Sequence, residues 1–595
     1  MPLSFVKLLP VMTGLGLRST TRAQASGRPV LGNGSRIGVV GGGPAGSFFS
    51  YFLLDIAQRV GLDLTLDLYE ARDFSVLGAA GCNMCGGIIS ESLVQTLAAE
   101  GIILPPTVVE RGIDSYVLHM DLANVRIETP RHEKRIAAVH RGGGPRGVTE
   151  RRWLSFDGYL FDLALAKGAR GIRGRVDEVS WSDGFPQVQT HGSPPRAYDL
   201  LAVAVGVNSG TLKLFERLGL GYKAPRTTKT YVSELYLGQK TVERYLGNSM
   251  HVFLLDLPRL EFAALIPKGD YATLCLLGRE IDRSLVESFL AAPEVRQCLP
   301  PDWRGSRADC HCSPSINVRG AIRPFADRVV MIGDSGVTRL YKDGIGAAYR
   351  TAKAVAVTAI FEGISAESFR RHYLPVCRAI ARDNALGKVT FAVTRQIQKR
   401  RYARQGVLRM VAREQKGEGG PRGMSTVLWD LFTGSAPYRE VFLRTLRPSF
   451  LSRFLREMLR GSWPFHRSQP GWEDTMEPGT LGKLYGEGEI IIREGEVGDC
   501  MYVIQAGRVE VLQRKGDKEV RLAELGPWDA FGELALFEGE VRSATVRALC
   551  EVRVLTIDKK TFLRRVHEDP SIAFRMLRRM SHRIRELSAQ MDQVA

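Results

Sequence analysis

Long apolar runs are missing from this 595-residue sequence, which contains no uninterrupted hydrophobic stretch of the length that a bilayer-spanning helix needs. Cysteine is also scarce, with nine in the whole chain. That number is too low for a disulfide scaffold and favours a reducing, cytoplasmic setting. With 44% hydrophobic and 25% charged residues, the composition is that of a globular protein of several domains.

Acidic residues are in deficit, and the formal net charge is +18. Much of the excess is local, because the segment from Lys388 to Arg467 contains 17 basic and 5 acidic residues. A surface this basic favours an anionic membrane or a nucleic acid as partner. No nucleic-acid recognition element is visible, so we expect no nucleic-acid partner. The first 34 residues contain no acid; we interpret residues 1–34 as a disordered leader, with a targeting peptide as the alternative.

The rest of the chain changes character twice. Residues 35–385 alternate strand and helix signals and predict an α/β oxidoreductase domain. Residues 386–475 predict a helical basic region, interrupted by the loop-like stretches "KGEGGPRG" and "GSWPFHRSQPGW". Residues 476–595 predict short strands separated by glycine-containing turns, as in a β-roll.

A glycine-rich turn follows the first predicted strand in "RIGVVGGGPAGSFFSYFLLDIA". Gly41, Gly43 and Gly46 fit G-x-G-x-x-G, with Ala45 inside the turn. In this spacing the glycines permit a tight turn and let a pyrophosphate approach the helix N-terminus. Glu70 ends the next predicted strand, "LTLDLYEA", where an acid can accept the ribose hydroxyls. The sequence therefore predicts a dinucleotide-binding unit.

A second segment, "DRVVMIGDSGVTRLYKDGIGAAYRTAKAVA", favours FAD over NAD. Here a strand ends at Gly333 and Asp334, and a glycine-rich helix follows. In these residues the chain resembles the flavoprotein superfamily of p-hydroxybenzoate hydroxylase and geranylgeranyl reductase. The resemblance implies an FAD-binding Rossmann-type domain with a substrate sheet like that of p-hydroxybenzoate hydroxylase. With "RRWLSFDGYLFDLALAKGA" it also implies FAD contacts at or near Asp334, Gly344, Ile345, Gly346, Ala347, Arg152, Phe156 and Asp157.

Two features of that superfamily are absent. Val205 stands where the family commonly has the acid of Ala-Asp-Gly-x-x-Ser, and Gly336 and the pair 341–342 stand where hydroxylases have His and Pro. These departures favour a reductase over an oxygen-activating hydroxylase. An FAD-dependent monooxygenase and a flavin-carrying sensor without turnover are the alternatives.

The stretch "GCNMCGGIISESL" resembles the Cys-x-Gly-Gly segment of geranylgeranyl reductases, which flanks the flavin and the substrate. By position the resemblance assigns Cys85, Gly86 and Gly87 to the catalytic site. Cys82 and Cys85 also form a C-x-x-C pair. A redox dithiol, or a metal site completed by the "CHC" of residues 310–312, is therefore an alternative to simple packing against the flavin. We assign no metal site.

A predicted strand, "FAALIPKGDYATLCLLG", resembles the substrate wall of the same reductases. Phe262 and Pro267 match the family pattern, whereas Ala264 and Ile266 replace large aromatic residues. The expected wall is apolar and roomy. The resemblance implies reduction of a carbon–carbon double bond in an isoprenoid or another apolar, lipid-like substrate.

Alkene reduction also requires a proton donor and a source of electrons. Cys85, Tyr341 and Asp343 are the candidate neighbours of the reacting carbon. No second nucleotide fold for NAD(P)H is visible, so the electron donor stays open.

The basic region contains "YREVFLRTLRPSFLSRFLREMLRGSW", which predicts two amphipathic helices broken at Pro448. Such helices can lie on an anionic bilayer, with Trp463 at the interface. The alternative is packing on the flavin domain with a solvated arginine face. The first interpretation predicts a peripheral protein at the inner face of a membrane.

The stretch "FGELALFEGEVRSATV" closely resembles the phosphate-binding cassette of cyclic-nucleotide-binding domains. By position Glu533 binds the ribose, Arg542 binds the cyclic phosphate, and Gly532 and Ser543 assist. We expect this domain to bind a cyclic nucleotide, cAMP rather than cGMP, and to regulate the enzyme. The cassette also includes Leu534, Ala535 and Ala544.

Overall fold

The computed structural model describes residues 29–129, 133–145, 153–305, 309–417, 422–460, 480–515, 518–534 and 541–569, with a few single positions beyond 569. Contacts divide the chain into two compact units. Unit 1 comprises Met1–Gly87, Val117–Ile127 and Val139–Glu473, and unit 2 comprises Ile88–Tyr116, Glu128–Ala138 and Asp474–Ala595. Two segments that the sequence assigns to the oxidoreductase domain therefore share a unit with the C-terminal region.

A six-stranded sheet forms the first layer of unit 1. In order across the sheet, its strands are β20 (Phe325–Ala326), β21 (Val329–Met331), β12 (Leu200–Val203), β1 (Ser35–Val40), β2 (Leu64–Glu70) and β8 (Arg170–Arg173). All neighbours are parallel except β20 and β21. The central strands are apolar and buried, as expected of a parallel sheet with both faces covered.

Three helices accompany this sheet: α1 (Pro44–Val60), α3 (Phe156–Ala166) and α8 (Gly344–Phe361). α1 packs against both α3 and α8. Pro44 opens α1 at its first position, where a missing N–H costs no intrahelical bond. The side of α8 that packs is rich in small buried residues, so the two helix backbones lie close together.

A seven-stranded sheet forms the second layer of unit 1. Its strands, in order, are β18 (Cys310–Cys312), β14 (Tyr231–Tyr236), β17 (Tyr271–Gly278), β16 (Leu260–Lys268), β15 (Ser249–Phe253), β5 (Ser115–Met120) and β6 (Ala123–Glu128). One face builds a hydrophobic core with α5 (Gln239–Leu246), α6 (Arg283–Ala291) and α7 (Pro293–Arg296). Alternate residues of the same strands form the opposite face.

Smaller elements complete the α/β part of unit 1. They are the three-stranded sheet of β9 (Val176–Ser182), β10 (Phe185–Thr190) and β11 (Arg196–Ala197), the pair β13 (Arg226–Lys229) and β19 (Ser315–Arg319), and α4 (Leu212–Arg217).

After residue 365, helices make up most of the described part of unit 1, as predicted for the basic region. They are α9 (Ala366–Ser368), α10 (Leu374–Lys399), α11 (Arg401–Gln415), α12 (Gly423–Thr433), α13 (Tyr438–Thr445) and α14 (Pro448–Leu459). The break expected at Pro448 is confirmed, because α13 ends at Thr445 and Pro448 opens α14. No helix within the described ranges is both long and apolar enough to cross a membrane.

Unit 2 contains two β-roll sheets and a smaller layer built from the earlier chain segments. The roll consists of β22 (Lys483–Tyr485), β29 (Val552–Asp558), β24 (Cys500–Ala506) and β27 (Ala530–Phe531), and of β23 (Ile490–Ile492), β28 (Thr545–Ala548), β25 (Val509–Lys515) and β26 (Lys518–Leu525). The smaller layer consists of β3 (Ile88–Ile89), β7 (Ile136–Ala138), β4 (Arg111–Ile113) and α2 (Glu91–Ala99). The last helix is α15 (Lys559–Glu568).

Buried charges join these two parts of unit 2. The Arg135 side chain is 3% exposed, contacts the Asp558 carboxylate, and lies 3.1 Å from Glu91 Oε1 through its Nε. The backbone N–H of Thr556 donates to Glu133 Oε1 at 2.8 Å. Charges this deeply buried are tolerated only when they are paired. Arg135 therefore compensates acids from both the smaller layer and the roll.

We predict that Arg135→Ala lowers the free energy of unfolding of unit 2 by about 3–5 kcal/mol, because removing one member of a buried ion-pair cluster leaves the others unpaired. Denaturant unfolding of the full chain, followed through bound fluorescent cyclic nucleotide, measures this. Arg283→Ala is the matched control, because Arg283 pairs with Glu287 on an exposed helix face and its loss should leave the midpoint unchanged. Equal midpoints for the Arg135 variant and the wild type would contradict the prediction.

Candidate functional site

The glycine turn connects β1 to α1, as the sequence predicts. The Gly41 N–H donates to Tyr69 O at 2.9 Å, which closes the turn against β2. A Cβ on Gly46 would overlap the Gly41 carbonyl oxygen, so only glycine permits α1 to start this close to the turn. At Gly43, by contrast, a Cβ would meet nothing nearer than Asp157 Oδ2 at 3.9 Å. The space before the α1 N-terminus is thus open, and it suits a phosphate group.

Glu70 stands at the end of β2 and contacts the turn directly. Its Oε2 accepts from Gly42 N and its Oε1 from Arg72 N, both at 2.8 Å. Burial raises the pKa of Glu70, and these two N–H donors oppose that effect. Glu70 therefore fixes the shape of the turn in addition to being the expected ribose acceptor.

The second glycine segment meets the first. Gly333 begins a short 3₁₀ turn that includes Asp334, and a Cβ on Gly333 would lie 2.6 Å from the Ala45 side chain. Burial raises the pKa of Asp334, while the nearby Arg141 lowers it. The two segments, separated by almost 300 positions in the sequence, are thus brought together at the N-terminus of α1.

The N-terminus of α8 is partly open. Gly344 is exposed, and its nearest neighbour for an added Cβ is Thr338 Oγ1 at 3.4 Å. The residues after it are packed: Ile345 and Ala347 are buried, and the Asp343 carboxylate covers Gly346. Of the predicted flavin contacts in this helix, Gly344 has the most open surroundings.

Arg141 is the central cation of the site. Its Nε and Nη2 donate to the two carboxylate oxygens of Asp157, both at 2.9 Å, and Asp157 is fully buried. The Asn83 amide also donates to Asp157, and the Cys85 thiol lies close to the Arg141 guanidinium. The helix that begins at Phe156 is therefore joined through its acid to the cysteine loop. The predicted Arg152 lies outside the described residues.

The loop with the C-x-x-C pair lies on the seven-stranded sheet. A Cβ on Gly86 would lie 2.7 Å from Cys275 Sγ and 3.7 Å from Ile266 Cδ1. Gly87 has φ +69°, and its Cβ would overlap Val139 O and meet Lys268 Nζ at 2.8 Å. The two glycines thus let this loop pack closely on Cys275 and Val139, and the predicted approach of its backbone to a flavin stays a prediction.

Strand register defines which residues the loop faces. We name this surface the cysteine face; across β18, β14, β17 and β16 it contains Cys312, Val232, Cys275 and Ala264 in one row and Cys310, Glu234, Thr273 and Ile266 in the next. Within it the Thr273 hydroxyl donates to Glu234 Oε2 at 2.6 Å. Lys268 Nζ, 1% exposed, lies 3.4 Å from Glu234 Oε1.

The two predicted substrate residues point in opposite directions. Phe262 shares the parity of Ala264 and Ile266 and belongs to the cysteine face. Pro267 pairs with Ala272, a member of the core on the other face. The structure therefore brings Phe262 to the site and does not bring Pro267 there.

Tyr341 and Asp343 have special conformations but bonded surroundings. Their φ values are +59° and +53°, a left-handed conformation that costs free energy in non-glycine residues. The Tyr341 ring packs edge-on against Phe262 and Phe391, and burial raises its pKa to about 12. Asp343 lies 3.7 Å from Arg339 and 3.6 Å from Arg350. The raised pKa makes Tyr341 a poor proton donor near neutral pH, and the Asp343 carboxylate is engaged by two arginines.

Lys342 lies between these two residues in the sequence, and its amine faces two aromatic rings. Its Nζ lies 4.3 Å from the centre of the Phe262 ring and 5.5 Å from that of Phe432. Burial lowers the pKa of Lys342 to about 7, an effect that Cys275 opposes and Arg339 reinforces. Sequence reasoning missed this residue and Arg141, although Lys342 is adjacent to two predicted residues.

In unit 2 the predicted cassette residues lie together. Arg542 is 4% exposed and donates to Gly532 O at 2.7 Å and to Cys500 O at 2.8 Å. No carboxylate pairs with Arg542 among the residues that the structure describes, so its charge is balanced there by neutral carbonyls. An anion placed beside Arg542 could form a charge-assisted hydrogen bond with a guanidinium that is shielded from water and has no acidic partner among the described residues.

The other cassette residues differ in exposure. Glu533 is half-buried, Leu534 and Ser543 are exposed, and Ala544 is buried. Ala535 lies outside the described residues. The arrangement supplies a cation, an acid and a glycine turn, the three groups that the sequence assigns to a cyclic phosphate and its ribose.

Comparison with known proteins identifies the domain to which these residues belong. Residues 483–569 match the family model of the cyclic nucleotide-binding domain. The chain is 28% identical over 135 residues to the cyclic AMP receptor protein of Thermus thermophilus, which covers 22% of this chain and 62% of that protein. It is 35% identical over 129 residues to the cAMP-dependent protein kinase type II regulatory subunit of Drosophila melanogaster (21% and 34%). It is 50% identical over 80 residues to the cGMP-dependent protein kinase of Eimeria tenella (13% and 8%).

Solved structures that are similar over most of the chain include a halogenase crystallised with FAD and a flavoprotein/dehydrogenase. The halogenase PltM in complex with phloroglucinol and FAD has a TM-score of 0.44 and 14% identity, covering 71% of this chain and 90% of that one. A flavoprotein/dehydrogenase from Cytophaga hutchinsonii has a TM-score of 0.47 and 11% identity, covering 72% and 99%. Both TM-scores lie below 0.5, so neither likeness bears on the activity of this chain.

The curated relatives named above share only part of their length with this chain, between 8% and 62%. The similarity therefore concerns one domain. The chain combines an α/β unit that has a dinucleotide-type glycine turn with a C-terminal β-sheet cyclic nucleotide-binding domain, with a helical region between them.

Proposed function

We propose that this chain is an FAD-dependent oxidoreductase that reduces a carbon–carbon double bond in an isoprenoid or other apolar lipid-like substrate, and that a cyclic nucleotide regulates it. Three features of unit 1 fit FAD. They are the open space before Gly43, the exposed Gly344, and the close contact between Gly333 and Ala45. Asp334 and Glu70 supply acids for its ribityl chain and ribose. FAD, when bound, supplies a hydride to the substrate.

The observation that carries the reductase proposal is a half-buried lysine amine beside two aromatic rings. An alkene that accepts a hydride at one carbon needs a proton at the other. Lys342 Nζ, with a pKa of about 7 and aromatic rings around it, can hold and release that proton near neutral pH. Phe262, Ala264 and Ile266 provide an apolar surface beside it. Tyr341, whose pKa burial raises to about 12, holds its proton too tightly for this role.

An anaerobic assay tests the reaction type. The bound flavin is reduced, a geranylgeranyl lipid is added, and the return of oxidised-flavin absorbance is followed together with the mass of the product. We expect reoxidation and a product heavier by two hydrogens. A flavin that stays reduced until oxygen is admitted, with a hydroxylated product, would replace this proposal by a monooxygenase.

Lys342 gives the same assay a defined pH dependence. The lysine donates only when protonated, so the rate should fall as the pH rises through about 7. Lys342→Met should lose this limb and slow reoxidation by about 10²–10⁴-fold. Lys342→Arg is the control, because an arginine keeps its positive charge at every accessible pH. This variant should lose the fall in rate near pH 7 while retaining the charge. An unchanged pH profile in the Met variant, at equal flavin content, would show that another group donates the proton.

We also propose that unit 2 binds cAMP more tightly than cGMP through Arg542 and Glu533. Arg542→Ala should weaken cAMP at least tenfold, because a charge-assisted bond to the phosphate is lost. Calorimetric titration of the full chain with both nucleotides measures this. Arg508→Ala, at an exposed ion pair with Glu524, should bind normally. An unchanged cAMP affinity in the Arg542 variant would contradict the role assigned to Arg542. A flavin reoxidation rate that does not change at saturating cAMP would contradict the proposed regulation.

A third proposal concerns an anionic bilayer as partner, supported by the surface of α14. Phe450, Phe454 and Met458 turn toward Gly423 and Gly406, whereas the leucines spaced four apart on the other side are exposed. That exposed stripe is Leu451, Leu455 and Leu459, at 48%, 52% and 77%. Exposed arginines at 447 and 456 flank it. An apolar stripe with basic neighbours suits the boundary between headgroups and acyl chains. Trp463 lies outside the described residues.

Sedimentation with phosphatidylglycerol-containing vesicles tests this surface. The double variant Leu455→Glu, Leu459→Glu should reduce binding by tenfold or more, because two leucines would no longer be buried in lipid. The matched control is Val389→Glu, Val393→Glu, which alters two exposed valines of α10. Equal loss in both double variants, or no binding of the wild type, would contradict a membrane role for α14.

A further inference from the structure

A buried cluster in unit 1 has the composition of a metal site but does not need an ion. The ligand atoms of His119, His251 and Cys298 lie within 4.8 Å of one another. However, His251 Nε2 is 3.3 Å from Leu246 O, its Nδ1 is 2.9 Å from His119 Nε2, and His119 Nδ1 is 3.2 Å from the Gln297 amide. A continuous chain of hydrogen bonds thus satisfies both imidazoles, and we assign no metal to this cluster.

A buried cluster in unit 2 is instead connected to the nucleotide-binding residues. The Nη2 of Arg542 donates to the Cys500 carbonyl oxygen at 2.8 Å. In the register of β24 and β29, Cys500 stands directly opposite Asp558. The next residue, Lys559, begins α15 and donates its N–H to Asp499 O at 3.0 Å. The carbonyl that accepts from Arg542 therefore belongs to a strand that is paired with the end of β29.

The smaller layer of unit 2 holds the end of β29 at three points. The Asp558 carboxylate contacts Arg135, and the Asp558 N–H donates to Gln95 Oε1 at 3.4 Å. Two residues earlier, the Thr556 N–H donates to Glu133 Oε1 at 2.8 Å. Arg135, Gln95 and Glu133 are all buried. Because buried polar groups are costly to leave unpaired, a shift of the end of β29 has to move these three side chains as well.

The same layer is continuous with the cysteine loop, residues 81–87. Arg135 precedes β7, and β7 pairs with β3, with Ala138 opposite Ile88. The pairing extends by one more hydrogen bond, in which the Val139 N–H donates to Gly87 O at 2.8 Å. The two chain segments that leave the layer thus stay bonded to each other up to the last glycine of the loop. They form a paired ribbon rather than a slack linker, which would absorb a displacement.

A cyclic phosphate competes for the donors of the first contact in this series. In the structure the Arg542 guanidinium donates to two carbonyl oxygens, those of Gly532 and Cys500. A phosphate accepts more strongly than a neutral carbonyl, because it is charged. Bound nucleotide therefore favours a different position of the guanidinium relative to Cys500. A ligand that interacts differently with two arrangements shifts the equilibrium between them.

We propose that these contacts form a relay by which a bound cyclic nucleotide alters the conformation of the cysteine loop. Arg135 and Asp558 are its positioning residues, because their ion pair transmits a shift of β29 to the segment that leads into β7. The ribbon of Ala138, Val139 and Gly87 then transmits that shift to the loop. This proposal rests on the cyclic-nucleotide regulation proposed above, for which it supplies the physical route.

Hydrogen exchange of the full-length protein, measured by mass spectrometry with and without saturating cAMP, tests the relay without requiring turnover. Amide exchange reports the local opening of each segment. In the wild type we expect cAMP to change the exchange rates of residues 84–95 and 133–139 by about fivefold or more, which is the low end of coupling between linked sites.

Asp558→Asn breaks the relay at its ion pair and leaves the residues that hold the nucleotide unaltered. Arg135 keeps Glu91 as a partner in this variant, at 3.1 Å, so its buried charge is not left alone. Asp558→Asn should still bind cAMP in calorimetric titration but lose the change in exchange at residues 84–89. Asp558→Glu, which keeps the carboxylate, should retain it. Glu524→Gln, at an exposed ion pair with Arg508, is the matched control and should behave as the wild type.

Three results would overturn the relay. They are a wild type that binds neither cAMP nor cGMP, exchange rates at residues 84–95 that do not respond to bound nucleotide, and a response at residues 84–89 that persists in Asp558→Asn. The first result also contradicts the nucleotide proposal. With either of the others, a flavin reoxidation rate that responds to cAMP leaves the regulation standing by another route. A response that depends on Asp558 supports the relay even where the lipid is not reduced, and in that case only the reductase proposal fails.

Discussion

The ion pair between Arg141 and the buried carboxylate of Asp157 is the interaction on which the site of unit 1 depends. A carboxylate without water needs a partner, and Asp157 has a bidentate one in the half-buried guanidinium of Arg141. The same guanidinium lies close to Cys85 of the cysteine loop and lowers the pKa of Asp334, which burial raises. Three segments that are distant in sequence are therefore held around one ion. Loss of either partner would leave an uncompensated buried charge and loosen all three.

The parts of the site that the sequence predicts are those that fit into one short window. The glycine turn from Gly41 to Gly46 and the helix start at Gly344 are determined by neighbouring residues, because glycine is required wherever backbone must approach backbone. The cassette of unit 2 is equally local, and the family match over residues 483–569 confirms its domain. The break at Pro448 follows from the chemistry of a single residue.

Contacts between residues of different strands and helices were much harder to predict from the sequence. Cys312 meets the row of Cys275 only through the register of β18, β14 and β17, which no local pattern encodes. The low pKa of Lys342 depends on rings contributed by β16 and α12. The sequence does contain the information that Pro267 and Phe262 lie on opposite faces of the sheet. The two residues are five positions apart, and an odd separation within a strand puts two side chains on opposite faces.

The smaller layer of unit 2 has a consequence for the independence of the nucleotide-binding domain. α2 and β7 are covered by the roll: Arg135 contacts Asp558, Gly482 N donates to Lys134 O, and a Cβ on Gly112 would overlap Thr480 O. Along the chain this layer begins at Ile88, directly after the cysteine loop, and ends at Ala138, three residues before Arg141. The C-terminal domain is consequently not a detachable appendage. Excising residues 474–595 would uncover buried charges of α2 and β7, which belong to a much earlier part of the chain, so unit 2 has to be expressed with its segments 88–116 and 128–138 present.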